Sequence, residues 1–272
     1  MNGNAHKANS NDNIVNLVHE ITPSRTLGDL FLPANVQAAC AELIEEHQRR
    51  TLLYSYNLEP RHRVLLAGSP GNGKTSLAEA IASAIMVPMY VVRYEGVVGS
   101  YLGETSGRLN KIFDYVRTRN CVLFFDEFET IGKERGDLNE TGEIKRVVSS
   151  LLLLMDTLPS HVIVVVASNH PELLDRAVWR RFQLRLKLPS PGPREIENWF
   201  RKFEDRHQLQ LGYSAETLAK HLKGASFAEI EQFGADVLRR YVLSLPQSNL
   251  RRIVSSRLQQ WRERVSAPPE AE

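Results

Sequence analysis

The sequence predicts an α/β protein: a parallel sheet covered by helices on both faces, followed by a small all-helical domain. Three observations predict it. The apolar run Val64-Leu65-Leu66-Ala67 meets the glycine-rich turn Gly68-Ser69-Pro70-Gly71-Asn72-Gly73-Lys74-Thr75, and then the helix-forming stretch Ser76-Leu77-Ala78-Glu79-Ala80-Ile81-Ala82. A second apolar run, Cys121-Val122-Leu123-Phe124-Phe125, ends in Asp126-Glu127. Strand and helix patterns alternate as far as Pro189-Ser190-Pro191-Gly192-Pro193, and beyond that break only helical patterns remain. Continuous apolar strands alternating with helices indicate a sheet buried on both faces. The proline cluster reads as a domain boundary.

The elements follow in order. Residues 1–26 are polar, rich in Asn and Ser, and read as a flexible arm. Within the arm, Ile14-Val15-Asn16-Leu17-Val18 is apolar, either simply disordered or a docking motif for a partner. Val36, Ala39, Cys40, Leu43, Ile44 and His47 recur at helical spacing and predict a helix from about Pro33 to Tyr54, with Pro33 in its first turn. Strands are predicted at Arg63–Ala67, Met86–Val92, Cys121–Phe125, His161–Ala167 and Phe182–Leu188. Helices are predicted over 74–85, around Leu109–Val116, from about Glu143 to Met155, and as a short turn over Leu173–Arg181. Gly96–Gly103 and a charged segment near Lys133–Gly142 read as loops. After the break, Ile196/Trp199/Phe200/Phe203, Phe227/Ile230/Phe233/Val237/Tyr241 and Leu250/Val254/Leu258/Trp261 each share a helix face, with a shorter helix at Ala215–Leu222. The division is an arm at 1–26, an α/β domain at 27–190, a helical domain at 191–266 and a loose tail at 267–272.

Composition narrows the classes. The 272 residues suit one large or two modest domains, and 42% hydrophobic with 24% charged residues is ordinary for a globular chain. A net charge of +2 gives no reason to expect nucleic acid or an anionic membrane as the main partner. No apolar run is long enough to span a bilayer, and the polar start Met1–Asn13 lacks the apolar core of a signal peptide. Cys40 and Cys121 lie in apolar patterns and read as small buried hydrophobes of a reducing compartment, so the cytoplasm is the expected location. The histidines show no metal-ligand spacing.

The chemistry begins at the glycine-rich turn. Strand, turn and helix around G-x-x-x-x-G-K-[ST] form a phosphate cradle: glycines admit backbone N–H groups, and the helix start adds unpaired donors. Lys74 is expected on the β- and γ-phosphates and the Thr75 hydroxyl on Mg²⁺. Asp126, at a strand tip, is expected to hold Mg²⁺ through a water, and Glu127 to orient and polarise an attacking water. The blander reading of Glu127 is a capping or surface carboxylate. Asn169 ends the next strand, where an amide could hold the same water, touch the γ-phosphate, or form an Asx turn before Pro171. Arg180 and Arg181 are either a solvated face or arginines supplied to a neighbouring subunit's phosphate.

Together these segments resemble the AAA ATPases of the AAA+ superfamily, over about residues 28–243. Gly68–Thr75 resembles Walker A, Val122–Glu127 Walker B, and Asn169 sensor 1. Leu174–Phe182 resembles the region that carries arginine fingers, Ser100-Tyr101-Leu102-Gly103 an aromatic pore loop, and Gly224–Ile230 the start of a lid helix. The resemblance implies a P-loop NTPase sheet with an AAA+ lid, hydrolysing ATP with Mg²⁺. ATP would be held by Ser69, Pro70, Gly71, Asn72, Gly73, Lys74, Thr75, Ser76, Asp126 and Ala228. Glu127, Asn169, Arg180 and Arg181 would be catalytic, Thr75 and Asp126 would serve the metal, and Tyr101 and Leu102 would grip a polypeptide in the pore of a homo-oligomeric, hexameric ring. The chain departs from the family pattern at Gln183, where many relatives carry Asp, and at Met155-Asp156-Thr157, which lacks a glycine after Asp156. No arginine occurs in Gly224–Ile230. No folded recognition or protease domain is expected, so a partner would supply the effector activity. The sequence is similar to compact bacterial AAA ATPases encoded beside subtilisin-like proteases and linked to defence against phage or plasmids. Two other classes stay open: a nucleotide switch or loader acting on nucleic acid, using Arg239, Arg240, Arg251, Arg252, Arg257, Arg262 and Arg264, and a small-molecule kinase.

Overall fold

A computed structural model of the chain describes residues 14, 16–93, 97, 102–129, 141–174 and 176–266. The chain divides into two compact units, Met1–Ser69 with Lys74–Leu188 and Pro70–Gly73 with Pro189–Glu272.

The first unit is organised by a six-stranded sheet. Its strands are β1 (Val18–Ile21), β2 (Arg63–Ala67), β3 (Met89–Val92), β4 (Cys121–Phe125), β5 (Val162–Ser168) and β6 (Leu184–Lys187), in the order β1-β3-β4-β5-β2-β6. Every pairing is parallel except β1 against β3. Its helices are α1 (Ala34–Gln48), α2 (Arg50–Ser55), α3 (Lys74–Ile85), α4 (Leu102–Val116), α5 (Thr141–Asp156) and α6 (Arg176–Arg181). Alternation along the strands makes two cores. Leu65, Leu123, Phe125, Val164 and Val166 pack on one face with Leu109, Ile112 and Phe113 of α4 and Leu151 and Met155 of α5. Val64, Leu66, Val122, Phe124, Ile163 and Val165 pack on the other with Val36, Cys40 and Leu43 of α1 and Leu77, Ala78 and Ile81 of α3. The register Leu123↔Val164 and Leu65↔Val166 brings the C-terminal ends of β2, β4 and β5 to one edge.

Several expectations are corrected. Residues 18–21 are not a flexible arm but the edge strand β1, and Ile14, Leu17 and Val18 are buried in the α4/α5 core rather than offered to a partner. Short apolar patches read the same whether they meet a partner or their own sheet. The next segment is strapped to α3: the Glu79 carboxylate accepts the Ser24 and Arg25 backbone N–H groups at 3.0 and 3.2 Å. The long helix from Pro33 is two helices, with Pro33 as N-cap and a break at Arg49. The strand at β3 starts at Met89; Met86 is 90% exposed and has a positive φ of 59°, so it belongs to the turn. Residues 1–13, Tyr101 and the segment 130–140 lie outside the described residues.

A close approach explains Gly68. Its N–H donates to the Ser168 carbonyl at 3.2 Å, and an added Cβ would lie 2.2 Å from the Leu188 carbonyl oxygen. Gly68→Ala is therefore expected to push the end of β6 off β2 and to cost about 1–3 kcal/mol. A urea titration checks this, and an unchanged midpoint would argue against the packing.

The second unit carries α7 (Pro193–His207), α8 (Ala215–His221), α9 (Phe227–Leu243) and α10 (Leu250–Ser266). Trp199 stacks on Phe203 at 5.0 Å and meets Phe200 edge-on. Ile230, Phe233 and Val237 of α9 and Val254 and Leu258 of α10 are buried as well.

Candidate functional site

In the first unit, three segments converge at the C-terminal edge of the sheet. Lys74, the first residue of α3, is 6% exposed. Its ammonium donates to the carbonyls of Gly68 at 2.6 Å and Ser69 at 3.0 Å, and to Asn169 Oδ1 at 2.6 Å. Burial holds its ionisation below the ordinary lysine range, although Asp126, Glu129 and Glu127 pull the other way. Thr75 follows, exposed, and its Oγ1 donates to Asp126 Oδ2 at 3.0 Å. Ser76 continues the helix and is half-buried.

The turn after β4 presents three carboxylates differently. Asp126 is half-buried, and its Oδ1 accepts the Glu127 N–H at 3.0 Å. Glu127 is exposed and has a φ of 44°, the left-handed region that a non-glycine residue rarely enters. The Phe128 N–H donates to the Ala167 carbonyl at 2.9 Å and turns the chain back over β5. Glu129 is then buried, and its Oε1 accepts the Asn169 N–H at 2.9 Å. Sequence reasoning missed Glu129, because a third acid after Asp126-Glu127 looks like surface charge. Its only signal was the apolar Phe128 between the acids.

Arg180 and Arg181 end α6, which Val178 and Phe182 anchor in the core. Both arginines are exposed, but they differ. Arg181 pairs with Asp156, which also binds Arg63 at 2.6 Å; among the described residues no ion pair involves Arg180. The departures noted in the sequence have local reasons. Asp156 is clasped between Arg63 and Arg181, while the Thr157 hydroxyl donates to the Leu154 carbonyl at 2.9 Å. Gln183 Oε1 accepts the backbone N–H groups of His62 and Arg63 at 2.9 and 3.1 Å, stapling the start of β6 to β2. Leu102 begins α4; Tyr101 is outside the described residues.

In the second unit, Pro70 is exposed and Gly71, with φ of 74°, accepts the Ala228 N–H at 3.0 Å. Ser226 caps α9 there, in a capping box with Glu229. A Cβ on Gly71 would meet the Ser226 hydroxyl at 2.8 Å. Asn72 is buried; its Nδ2 donates to Ser190 Oγ at 3.1 Å and its Oδ1 has no partner among the described residues. Gly73 has φ of 84° and nothing within 4 Å of an added Cβ, so space lies open over this part of the loop.

Within the first unit the arrangement offers a buried ammonium, a hydroxyl beside a carboxylate and an exposed carboxylate, which suits a phosphate chain with a divalent cation. Among the described residues no group of three or more His, Cys, Asp or Glu is placed to hold a metal, and no helix is long and apolar enough to cross a membrane.

Comparison with known proteins agrees with this chemistry. Residues 64–190 match the model of the family described as ATPase family associated with various cellular activities (AAA). An uncharacterised AAA family ATPase of Sinorhizobium fredii is 33% identical over 227 residues, covering 83% of this chain and 68% of that protein. A Methanothermobacter marburgensis protein named as a 26S proteasome regulatory subunit homologue is 29% identical, covering 79% of this chain and 58% of its own length. Peroxisomal ATPase PEX6 of Arthrobotrys oligospora is 33% identical over 218 residues, covering 75% of this chain but 18% of its own length. The chain thus spans less than two thirds of these last two relatives. With the fold and the shared sequence in agreement, the chain belongs to the AAA family of ATPases, and its reaction is the hydrolysis of ATP.

Proposed function

We propose that this chain assembles into a homo-oligomeric, six-membered ring that couples ATP hydrolysis to the remodelling or threading of a protein. The observation that carries this reading is the convergence of Lys74, Thr75, Asp126 and Asn169 at the edge formed by the ends of β2, β4 and β5. In the proposed division, residues 27–190 form the nucleotide-binding domain and 191–266 the lid, with Ser69, Pro70, Gly71, Asn72, Gly73, Ser76 and Ala228 contributing to the nucleotide site. Lys74 would hold the terminal phosphates. Thr75 and, through water, Asp126 would hold Mg²⁺, whose contribution is to neutralise charge on the phosphate oxygens. Glu127 would orient the attacking water and take its proton, and Asn169 would keep that water and Lys74 in register. Arg180 would reach a neighbour's γ-phosphate, with Arg181 beside it. Tyr101 and Leu102 would grip the polypeptide. The proposed setting is the bacterial cytoplasm, with a partner such as a subtilisin-like protease in defence against phage or plasmids.

A mixing experiment tests the ring. Arg180→Ala and Glu127→Gln chains, each inactive alone, should regain about a quarter of wild-type ATPase when mixed in equal parts, because a neighbour can supply the missing arginine. No recovery in a mixture shown by sizing to co-assemble would overturn the trans arginine. Turnover stimulated by DNA and lost at high salt would favour the nucleic-acid reading instead.

A further inference from the structure

Glu129, the third acid of the turn after β4, is turned inward, only 6% exposed, while Glu127 beside it faces solvent. One carboxylate oxygen accepts the Asn169 N–H at 2.9 Å, and the other is buried without a hydrogen-bond partner among the described residues. Burying a carboxyl group with one oxygen unpartnered is costly, and one accepted N–H offsets only part of that cost. A residue kept at such a cost and bonded to the site is a candidate for a role in it. Asn169 supplies the link. Its backbone is held by Glu129, and its side-chain oxygen takes a hydrogen bond from Lys74 at 2.6 Å. Glu129, Asn169 and Lys74 therefore form one relay from the turn after β4 to the head of α3. The Phe128–Ala167 hydrogen bond fixes its other end.

We propose that Glu129 is a positioning residue for ATP hydrolysis: it fixes the end of β5 so that the Asn169 amide meets Lys74 and the attacking water at the right height. Glu129 touches no nucleotide in this scheme and acts through Asn169. The inference rests on the reading of Lys74 and Asn169 as nucleotide-site residues.

Three variants of the full chain test it. Glu129→Gln keeps an oxygen at the same reach and is expected to hold the Asn169 amide, with kcat within about threefold of wild type. Glu129→Met keeps the volume but offers no acceptor. Glu129→Asp keeps the charge but withdraws the oxygen by one methylene. Both are expected to lower kcat about 10–100-fold, as outer-layer partners of an active site commonly do. Their affinity for magnesium–ATP should stay within about threefold, since Lys74 keeps its two backbone acceptors. A readout apart from activity is amide exchange at Asn169 without nucleotide, which should quicken about tenfold or more in the Met and Asp variants and stay slow in the Gln variant. Full kcat in Glu129→Met or Glu129→Asp, or a Gln variant as slow as Met with its amide still protected, would overturn the proposal. Failure of the wild-type chain to hydrolyse ATP would instead overturn the reading of the site beneath it.

Discussion

Lys74→Ala is expected to weaken magnesium–ATP binding by at least about 100-fold, because it removes a buried charge that would face phosphate oxygens. The ammonium is not waiting in solvent for a ligand. It is already threaded among the carbonyls of Gly68 and Ser69 and the amide of Asn169, all neutral acceptors. Burial makes that charge costly and pulls its ionisation below the ordinary lysine range. A phosphate chain at this edge would add negative charge beside the ammonium. The alanine would also leave Asn169 Oδ1 and two carbonyls without their donor, so the loop should lose its shape as well as its charge. Titration calorimetry on the folded variant is the check, with a thermal melt run beside it. An affinity within about threefold of wild type would remove Lys74 from the phosphate site.

The second large effect is expected at Glu127. Glu127→Gln should bind ATP as the wild-type chain does but turn it over about 10²–10⁴-fold more slowly, the usual span for loss of a positioned general base. The backbone separates its task from that of its neighbour. Asp126 is engaged by the Thr75 hydroxyl on one oxygen and by the Glu127 N–H on the other. Glu127 has a φ of 44° and is exposed. A left-handed non-glycine residue stores about 1–2 kcal/mol of strain, and the turn keeps it because Phe128 is buried and tied to Ala167 immediately after. Glutamine preserves length and hydrogen bonding while removing the base, so the variant separates binding from chemistry. Single-turnover release of phosphate is the measurement, and a rate within about threefold of wild type would reject the water-orienting role.

Asp156 and Gln183 show how departures from a family pattern can be read physically. Asp156 is occupied by Arg63 and Arg181 of its own chain, which distinguishes Arg181 from Arg180 beside it, for which no ion pair occurs among the described residues. Gln183 uses one side-chain oxygen to satisfy two backbone N–H groups at the start of β2, a task that needs reach as well as an acceptor.

Much of the α/β architecture was legible because its signals are local. An apolar run, a glycine turn and a helical period each lie within about ten residues, and β2, α3 and β4 emerge where those signals stand. β1 was not legible: four residues that include His19 and Glu20 carry too little pattern to announce a strand, and only the antiparallel register Val18↔Val92 makes them one. The break at Arg49 was hidden for a related reason, since the apolar period runs on through it. Met86 reads as strand by composition, but its positive φ after α3 makes it part of the turn. Glu129 was the largest omission. Its inward turn depends on β4 lying beside β5, which sets an acid and an amide together across forty positions of chain. The amino-acid order alone determined which segments could be strands, helices and a glycine turn, because those choices follow from neighbours a few residues away. Only the tertiary structure decided which acid faces water, which is buried under Asn169, and which arginine is already paired, because those outcomes are set by strand order and packing between residues far apart in the chain.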